Sequence, residues 1–350
     1  MTPTDRRQAA KATVLDFQAA LDAAAPEKLA SVIAAHTHPD YRWRGVHPFG
    51  EHQGAEAAAK AFWSPLRAAM APVQRRPDVF LAGVNDVTGR NPDDEIVWVA
   101  QMGHHLGLFD RPWLDIPPTG RMCFLRYAEF NAVHDGRIIE SAIFVDVISV
   151  MRQAGRYPLP PQTGSSHLQP GPLTHDGLLL DPRPDDEGTA TMDLVNRMVG
   201  DLGRANEIAI ETGDDRVPRE VLARTWHEDM IWSGPEGIGA TYTIDRYQHQ
   251  HQYPFRFNLA SKAFNGHVAR LAEGDYACFF GWPNLTNVST GGFLGLPGSE
   301  TPADMRVVDV YRRRGDKLAE NWVFIDLPHW LLMQGLDVLE RMRQLDGEAF

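Results

Sequence analysis

The chain repeats itself. His38, Asp40, Trp43, Gly45, Gly50 and Pro65 recur as His227, Asp229, Trp232, Gly234, Gly239 and Pro254, each pair 189 positions apart. Further along, DGRIIESAIFVDV, from Asp135, reappears as GDKLAENWVFIDL, from Gly315. There Glu140 matches Glu320, Phe144 matches Phe324 and Asp146 matches Asp326, now 180 positions apart. A repeat this long marks a duplicated domain, because solenoid repeats are far shorter. The change of spacing means that about nine residues are missing between the two blocks in the second copy. With 350 residues the chain has room for two domains of ordinary size.

Composition narrows the partners. The net charge is −12, from 34 Lys and Arg against 46 Asp and Glu. Nucleic acid and anionic membrane surfaces are therefore unsuitable partners, since neither attracts such a chain. No stretch reaches the length of a membrane-spanning helix and the N-terminus has no apolar core of signal-peptide length, so the expectation is a cytoplasmic protein. Cys123 and Cys278 fall in apolar, strand-like runs at non-equivalent repeat positions, which suits buried free thiols.

Each copy reads in the same order. Helical spacing of Val14, Phe17 and Leu21 in one, and of Val195, Met198, Val199 and Leu202 in the other, predicts a first helix. A shorter helix follows Pro26 or Pro218, then a strand holding Trp43 or Trp232, then a helix crossing Pro65 or Pro254. Long alternating strands close each copy, an α+β layout. Residues 156–188 carry seven prolines and little periodicity and read as a linker, with Leu178, Leu179 and Leu180 as an apolar patch within it. The expected division is 1–155, linker 156–188, and 189–350.

The first copy also carries a motif series: Gly103, His105 and Gly107; Pro117, Thr119, Gly120 and Arg121; Asp135, Gly136, Ile138 and Glu140; then Gln153 and Gly155. In this it resembles the SnoaL-like polyketide cyclases of the NTF2-like superfamily. The second copy matches through Asp309, Glu320, Asp326, Gln334 and Gly335. The resemblance implies two tandem cone-shaped barrels, each a curved antiparallel sheet closed by helices around a pocket. It implies a site without cofactor or metal, and an aldol-type ring closure in which a carboxylate removes a proton beside a carbonyl. The family's catalytic Asp position is Glu129 in the first copy and Asp309 in the second. The second copy has Gly281-Trp282-Pro283-Asn284 where the first has its His motif, which makes Pro283 the expected counterpart of His105.

Proton abstraction next to a carbonyl needs a base with a pKa near working pH, and an apolar cavity supplies one by raising a carboxyl's pKa. Glu129 and Asp309 are the candidate bases. Asp309 lies in the alternating set Met305, Val307, Asp309, Tyr311, one face of a strand. His105 is the candidate electrophilic helper, with His104 on the opposite face. Glu140, Phe144 and Asp146 share a face, as do Glu320, Trp322, Phe324 and Asp326. Acids among aromatics suit a cavity wall, and equally an ion pair with a neighbouring Arg such as Arg126 or Arg306; for Glu140 and Glu320 the ion pair is preferred. The expected pocket lining is Trp43, Trp98, Asp146, Trp232, Trp282, Glu320, Trp322 and Asp326.

Other features point to structure. His249 and His251 in YQHQHQY stand two apart and are read as a solvated helix face. His38 and His227 are read as helix C-terminal residues. GGFLGLPG, from Gly291, lacks the Lys of a phosphate loop and is read as a flexible loop at a pocket mouth.

The reading is a cyclase or isomerase acting on a small hydrophobic or aromatic carbonyl compound, with the two barrels packed sheet to sheet as a pseudo-dimer. Retention of the His motif in the first copy alone favours that barrel as the catalytic one. The alternatives are a hydrolase or dehydratase using paired acids, and a non-catalytic binder of a small apolar ligand. A homo-oligomer is left open.

Overall fold

The computed structural model describes residues 2–87, 96–166 and 170–347. The first copy runs α1 (Pro3–Ala23), α2 (Leu29–His36), β1 (Thr37–Gly45) and β2 (Gly50–Gln53). A continuous helical stretch follows: α3 (Ala55–Ala58), a π-helical turn (Ala59–Trp63) and α4 (Ser64–Ala69). Four long strands come next, β3 (Met70–Val84), β4 (Val97–Phe109), β5 (Arg121–His134) and β6 (Arg137–Val145), then α5 (Val147–Gln153).

The second copy repeats this with α6 (Asp185–Thr212), α7 (Arg219–Ala223), β7 (Trp226–Ser233) and β8 (Ala240–Tyr242). Its helical stretch is α8 (Ile244–Tyr247), a π turn (Gln248–Gln252) and α9 (Tyr253–Asn258). The strands are β9 (Leu259–Phe264), β10 (Ala269–Glu273), β11 (Tyr276–Ser289), β12 (Ala303–Arg314) and β13 (Lys317–Ile325), ahead of α10 (Leu327–Met333) and α11 (Val338–Gly347).

The two sheets have one topology. The first is ordered β2-β1-β6-β5-β4-β3 and the second β8-β7-β13-β12-β11-β10, with β9 also on β11. Neighbours are antiparallel except β1 with β6 and β7 with β13. The α+β layout of two curved sheets closed by helices is the one expected. The missing residues fall between β3 and β4, where sequence positions 85–95 are replaced by Gly274–Asp275 between β10 and β11.

Local chemistry accounts for the helix ends. Thr2 and Asp5 cap α1 reciprocally, each side chain accepting the other's N–H. Its apolar stripe, Val14, Phe17 and Leu21, is fully buried. Asp185, Asp186 and Glu187 open α6 against the positive end of its dipole, and Gly213 ends it at φ 73°. This helix begins inside the segment read as linker. Val199, placed by periodicity on its buried stripe, is half exposed. His38 and His227 lie one residue inside β1 and β7, so they are not helix C-terminal residues; His36 ends α2.

The copies pack through one face of each sheet. Phe280 of β11 meets Trp98, Phe130 and Phe144 at ring distances of 5.5, 4.7 and 6.0 Å. The rim has approximate two-fold symmetry. Asp146 caps α5 through Ser149 N and accepts Glu236 N of the other copy at 2.7 Å. Asp326 caps α10 through His329 N and accepts His47 N at 3.0 Å. Residues 47 and 236 are themselves repeat mates, so the duplicated aspartates clasp each other's copy as an isologous dimer would. Arg126 adds three bonds, to the carbonyls of Ser233, Gly234 and Val323. Asp326→Ala removes a helix cap and strands the His47 N–H, and Asp146→Ala does the same to Glu236. Each is expected to cost about 2 kcal/mol, read as a lower denaturation midpoint.

Candidate active site

Inward-facing positions of β5 and β12 carry the two candidate bases, with opposite outcomes. In the first cone Glu129 is 2% exposed and ion-paired to Arg75 of β3 at 2.7 Å. Its Oε2 also accepts from Gln18 of α1 at 3.4 Å. Gln101 bonds Gln18 and accepts the Tyr127 hydroxyl at 2.6 Å. Side chains thus occupy the space around Glu129. The carboxylate faces a guanidinium, where a base would face a C–H bond. Burial alone would lower the Arg75 pKa, but the charges of Glu129 and Asp22 hold it above its ordinary value.

His105 is also engaged structurally. Its ring stacks on Tyr127 at 4.3 Å and meets the edge of Trp63 at 5.8 Å. Burial, then the charge of Arg75, pushes its pKa well below the usual histidine range, so the ring is neutral. Neither ring nitrogen has a hydrogen-bond partner among the described residues.

The second cone is open. A cavity of about 190 Å³ lies between α6, the helical stretch and the inner faces of β11, β12 and β13. Strand pairing shows what changed. Leu125 and Met305 are repeat mates; His105 pairs with Leu125, and Leu285 pairs with Met305. The counterpart of His105 is therefore Leu285, not Pro283, because β11 bulges between Gly281 and Leu285. Val307 stands in place of the bulky Tyr127, and Val199 in place of Gln18. The mate of Arg75 is Phe264, which is 65% exposed. Each replacement removes a side chain that fills the first cone.

Asp309 lines this cavity and is partly buried. Asn321 Nδ2 at 3.3 Å and the Tyr311 hydroxyl at 3.2 Å donate to its Oδ1. Burial raises its pKa to about 6, against the pull of those two bonds. Arg75 thus has no analogue here; Asp309 is held by neutral donors. Tyr247, across the cavity, is pushed above the usual tyrosine range by burial and then by the Asp309 charge. Its hydroxyl has no hydrogen-bond partner among the described residues. His251 stacks on Trp232 at 3.8 Å, and burial takes its pKa down to about 3.

In fold, both halves are NTF2-like. That rests on the shared strand order, the parallel β1–β6 and β7–β13 pairs, and the helices ahead of each sheet. No family model and no curated protein matches the chain. Similar solved structures cover one half at a time. An NTF2-like protein from Burkholderia xenovorans LB400 has 12% identity over 42% of this chain and 97% of its own, at a TM-score of 0.33. A candidate SnoaL-like polyketide cyclase from Jannaschia sp. CCS1 has 23% identity over 46% of this chain and 98% of its own, at 0.32. A protein of ketosteroid isomerase-like fold from Catenulispora acidiphila, in complex with trimethylamine, has 13% identity over 35% and 86%, at 0.27.

Of the expected lining, Trp232 faces the open NTF2-like cavity. The rest lie elsewhere. Trp43 is in the filled first cone beside Phe62, and Trp98 is in the interface. Asp146 and Asp326 are the clasping caps. Trp282 sits in the β11 bulge, bonded to Glu51 and against Arg306. Trp322 donates to Pro170 O. Glu320 pairs with Arg312 at 3.3 Å and Glu140 with Arg44, while the expected Arg306 pairs with Asp326 at 3.1 Å. The cavity face of β13 is the alternate set, Asn321, Val323 and Ile325. A one-residue step turns every side chain to the other face. Tyr247, His251, Tyr311 and Asn321 were missed. For Tyr311 the signal was present, since it shares the strand face of Asp309. His251 is turned inward by the π turn, while His249 is exposed.

Proposed function

We propose that the second cone is an acid–base site for a small, uncharged carbonyl compound, an isomerase or cyclase active site, and that the first cone is its structural partner. The observation that carries this is Asp309: a carboxylate with a pKa of about 6 opening on an apolar cavity, with no cation beside it. Asp309 Oδ2 takes the proton next to the substrate carbonyl, and the C–H electron pair becomes the enolate. The free Tyr247 hydroxyl donates to the enolate oxygen, where the charge develops. Tyr311 and Asn321 fix the carboxylate through Oδ1. The proton returns to another carbon in an isomerisation, or to the alkoxide formed when the enolate carbon attacks a second carbonyl. Asp309 is the one carboxylate lining the cavity among the described residues, which favours this over water activation by paired acids. At about 190 Å³ the cavity suits a compound smaller than the drug-sized ligands of pockets of about 300–1,000 Å³.

Exchange of the methyl protons of acetophenone in deuterated buffer, followed by NMR, tests the reading. The protein should accelerate exchange, with a rate that rises with pH through a midpoint of about 6 as Asp309 ionises. Binding without exchange at any pH would make the cavity that of a non-catalytic binder.

A further inference from the structure

A second chamber of about 170 Å³ adjoins the Asp309 cavity, and His251 lines both. Its walls are linker residues Pro161, Gln162 and Thr163, the end of the β7–β8 turn, the end of α9, and loop 292–295. That loop is not free. Phe293 is buried against Trp330 at 5.4 Å, and Thr163 and Gln250 tie the linker to the helical stretch through backbone carbonyls.

In the first copy, packed rings occupy the corresponding positions. The repeat mates of Ile238, His251 and Phe293 are Phe49, Phe62 and Trp113, whose rings pack at 5.0 Å (Phe49–Phe62) and 5.8 Å (Phe49–Trp113). The mate of Asn258 is Ala69. Polar groups therefore replace Phe62 and Ala69 where the chamber is open. Both have unused hydrogen-bonding capacity. His251 Nδ1 is buried without a partner, and the Asn258 amide makes no side-chain hydrogen bond among the described residues. Gly292 leaves that amide its room, since a Cβ there would stand 3.0 Å from Asn258 Nδ2. A buried, unsatisfied ring nitrogen calls for a ligand or water. Neutral as burial keeps it, the ring offers one donor and one acceptor. Among the described residues, no Lys or Arg lines either chamber.

We propose that the second chamber is a polar subsite: the substrate is an elongated, uncharged compound whose carbonyl lies at Asp309 and whose tail oxygen is bound by His251 and Asn258. This rests on the reading of the Asp309 cavity. A carboxylate or phosphate tail is rejected, because neither chamber offers a cation to offset its desolvation.

The test is calorimetry on the full chain with acetophenone, its para-hydroxyethyl derivative and its para-carboxymethyl derivative. The hydroxyethyl compound should bind about tenfold tighter than acetophenone, and the carboxymethyl compound weaker than either. In His251→Phe and Asn258→Ala the ratio of hydroxyethyl compound to acetophenone should fall to near one, whatever the variants do to acetophenone itself. The wild-type ratios decide the matter even if a variant fails to fold. If acetophenone binds and exchanges its protons but the hydroxyl tail adds nothing, or the carboxylate tail adds as much, the subsite is refuted and the Asp309 reading stands. If wild type binds none of the three, both fail.

Discussion

Asp309→Asn should abolish proton exchange and at the same time stabilise the protein. Loss of a positioned base typically costs about 10²–10⁴ in rate. Asn keeps the shape, and its carbonyl oxygen still accepts from Tyr311 and Asn321, so the pocket should survive. The stability change has a definite sign. The native carboxyl has a pKa of about 6 against an ordinary value of 3.8, so between those values the folded state binds more protons than the unfolded. Stability from this group is therefore lost as pH rises through that window. Above it, wild type carries the whole penalty of a buried charge, on the order of 2–3 kcal/mol, and the amide carries none. The variant should unfold at higher denaturant than wild type at pH 8, and the difference should vanish near pH 4. A base that is also structurally costly is hard to explain unless the charge is used.

Arg75→Met should be the most damaging single substitution in the first cone. It leaves Glu129 buried with the Gln18 amide as its remaining donor. Removing one partner of a buried ion pair costs about 3–5 kcal/mol. Adding Glu129→Gln to Arg75→Met should restore most of that loss, because a buried pair replaced on both sides is often near neutral. Neither variant should change the exchange rate at a temperature where it is folded. Denaturation midpoints and acetophenone exchange on the same samples check both statements. Loss of exchange in a folded Glu129→Gln protein would return the catalytic role to the first cone.

The duplication, the α+β order and the inward face of residues 305–311 were legible in the sequence. On β12 the inward set Met305, Val307, Asp309 and Tyr311 alternates with Arg306 and Arg312, so the pattern carries direction. On β13 it does not. Every residue from Leu318 to Phe324 is buried, one face against the cavity and the other against the linker or the partner copy. A strand buried on both faces has no polar side to mark which is which. Glu320 and Asp326 were thus assigned to the wrong face, while Asn321 went unnoticed. The bulge that replaces His105 with Leu285, and the π turn that aims His251 inward, are likewise changes of register that residue counting does not see. Which cone is open turned on Arg75, Gln18 and Tyr127. They come from three separate elements and have nothing in common in the sequence to link them.

The most direct measurement is the titration of the Asp309 carboxyl itself, by the carboxyl-carbon shift in protein labelled at aspartate, with Asp309→Asn supplying the assignment. A midpoint of about 6 that moves when acetophenone is added is the predicted result. A midpoint near the ordinary 3.8, unmoved by ligand, would mean that Asp309 does not face an apolar site, and would contradict the account at its centre.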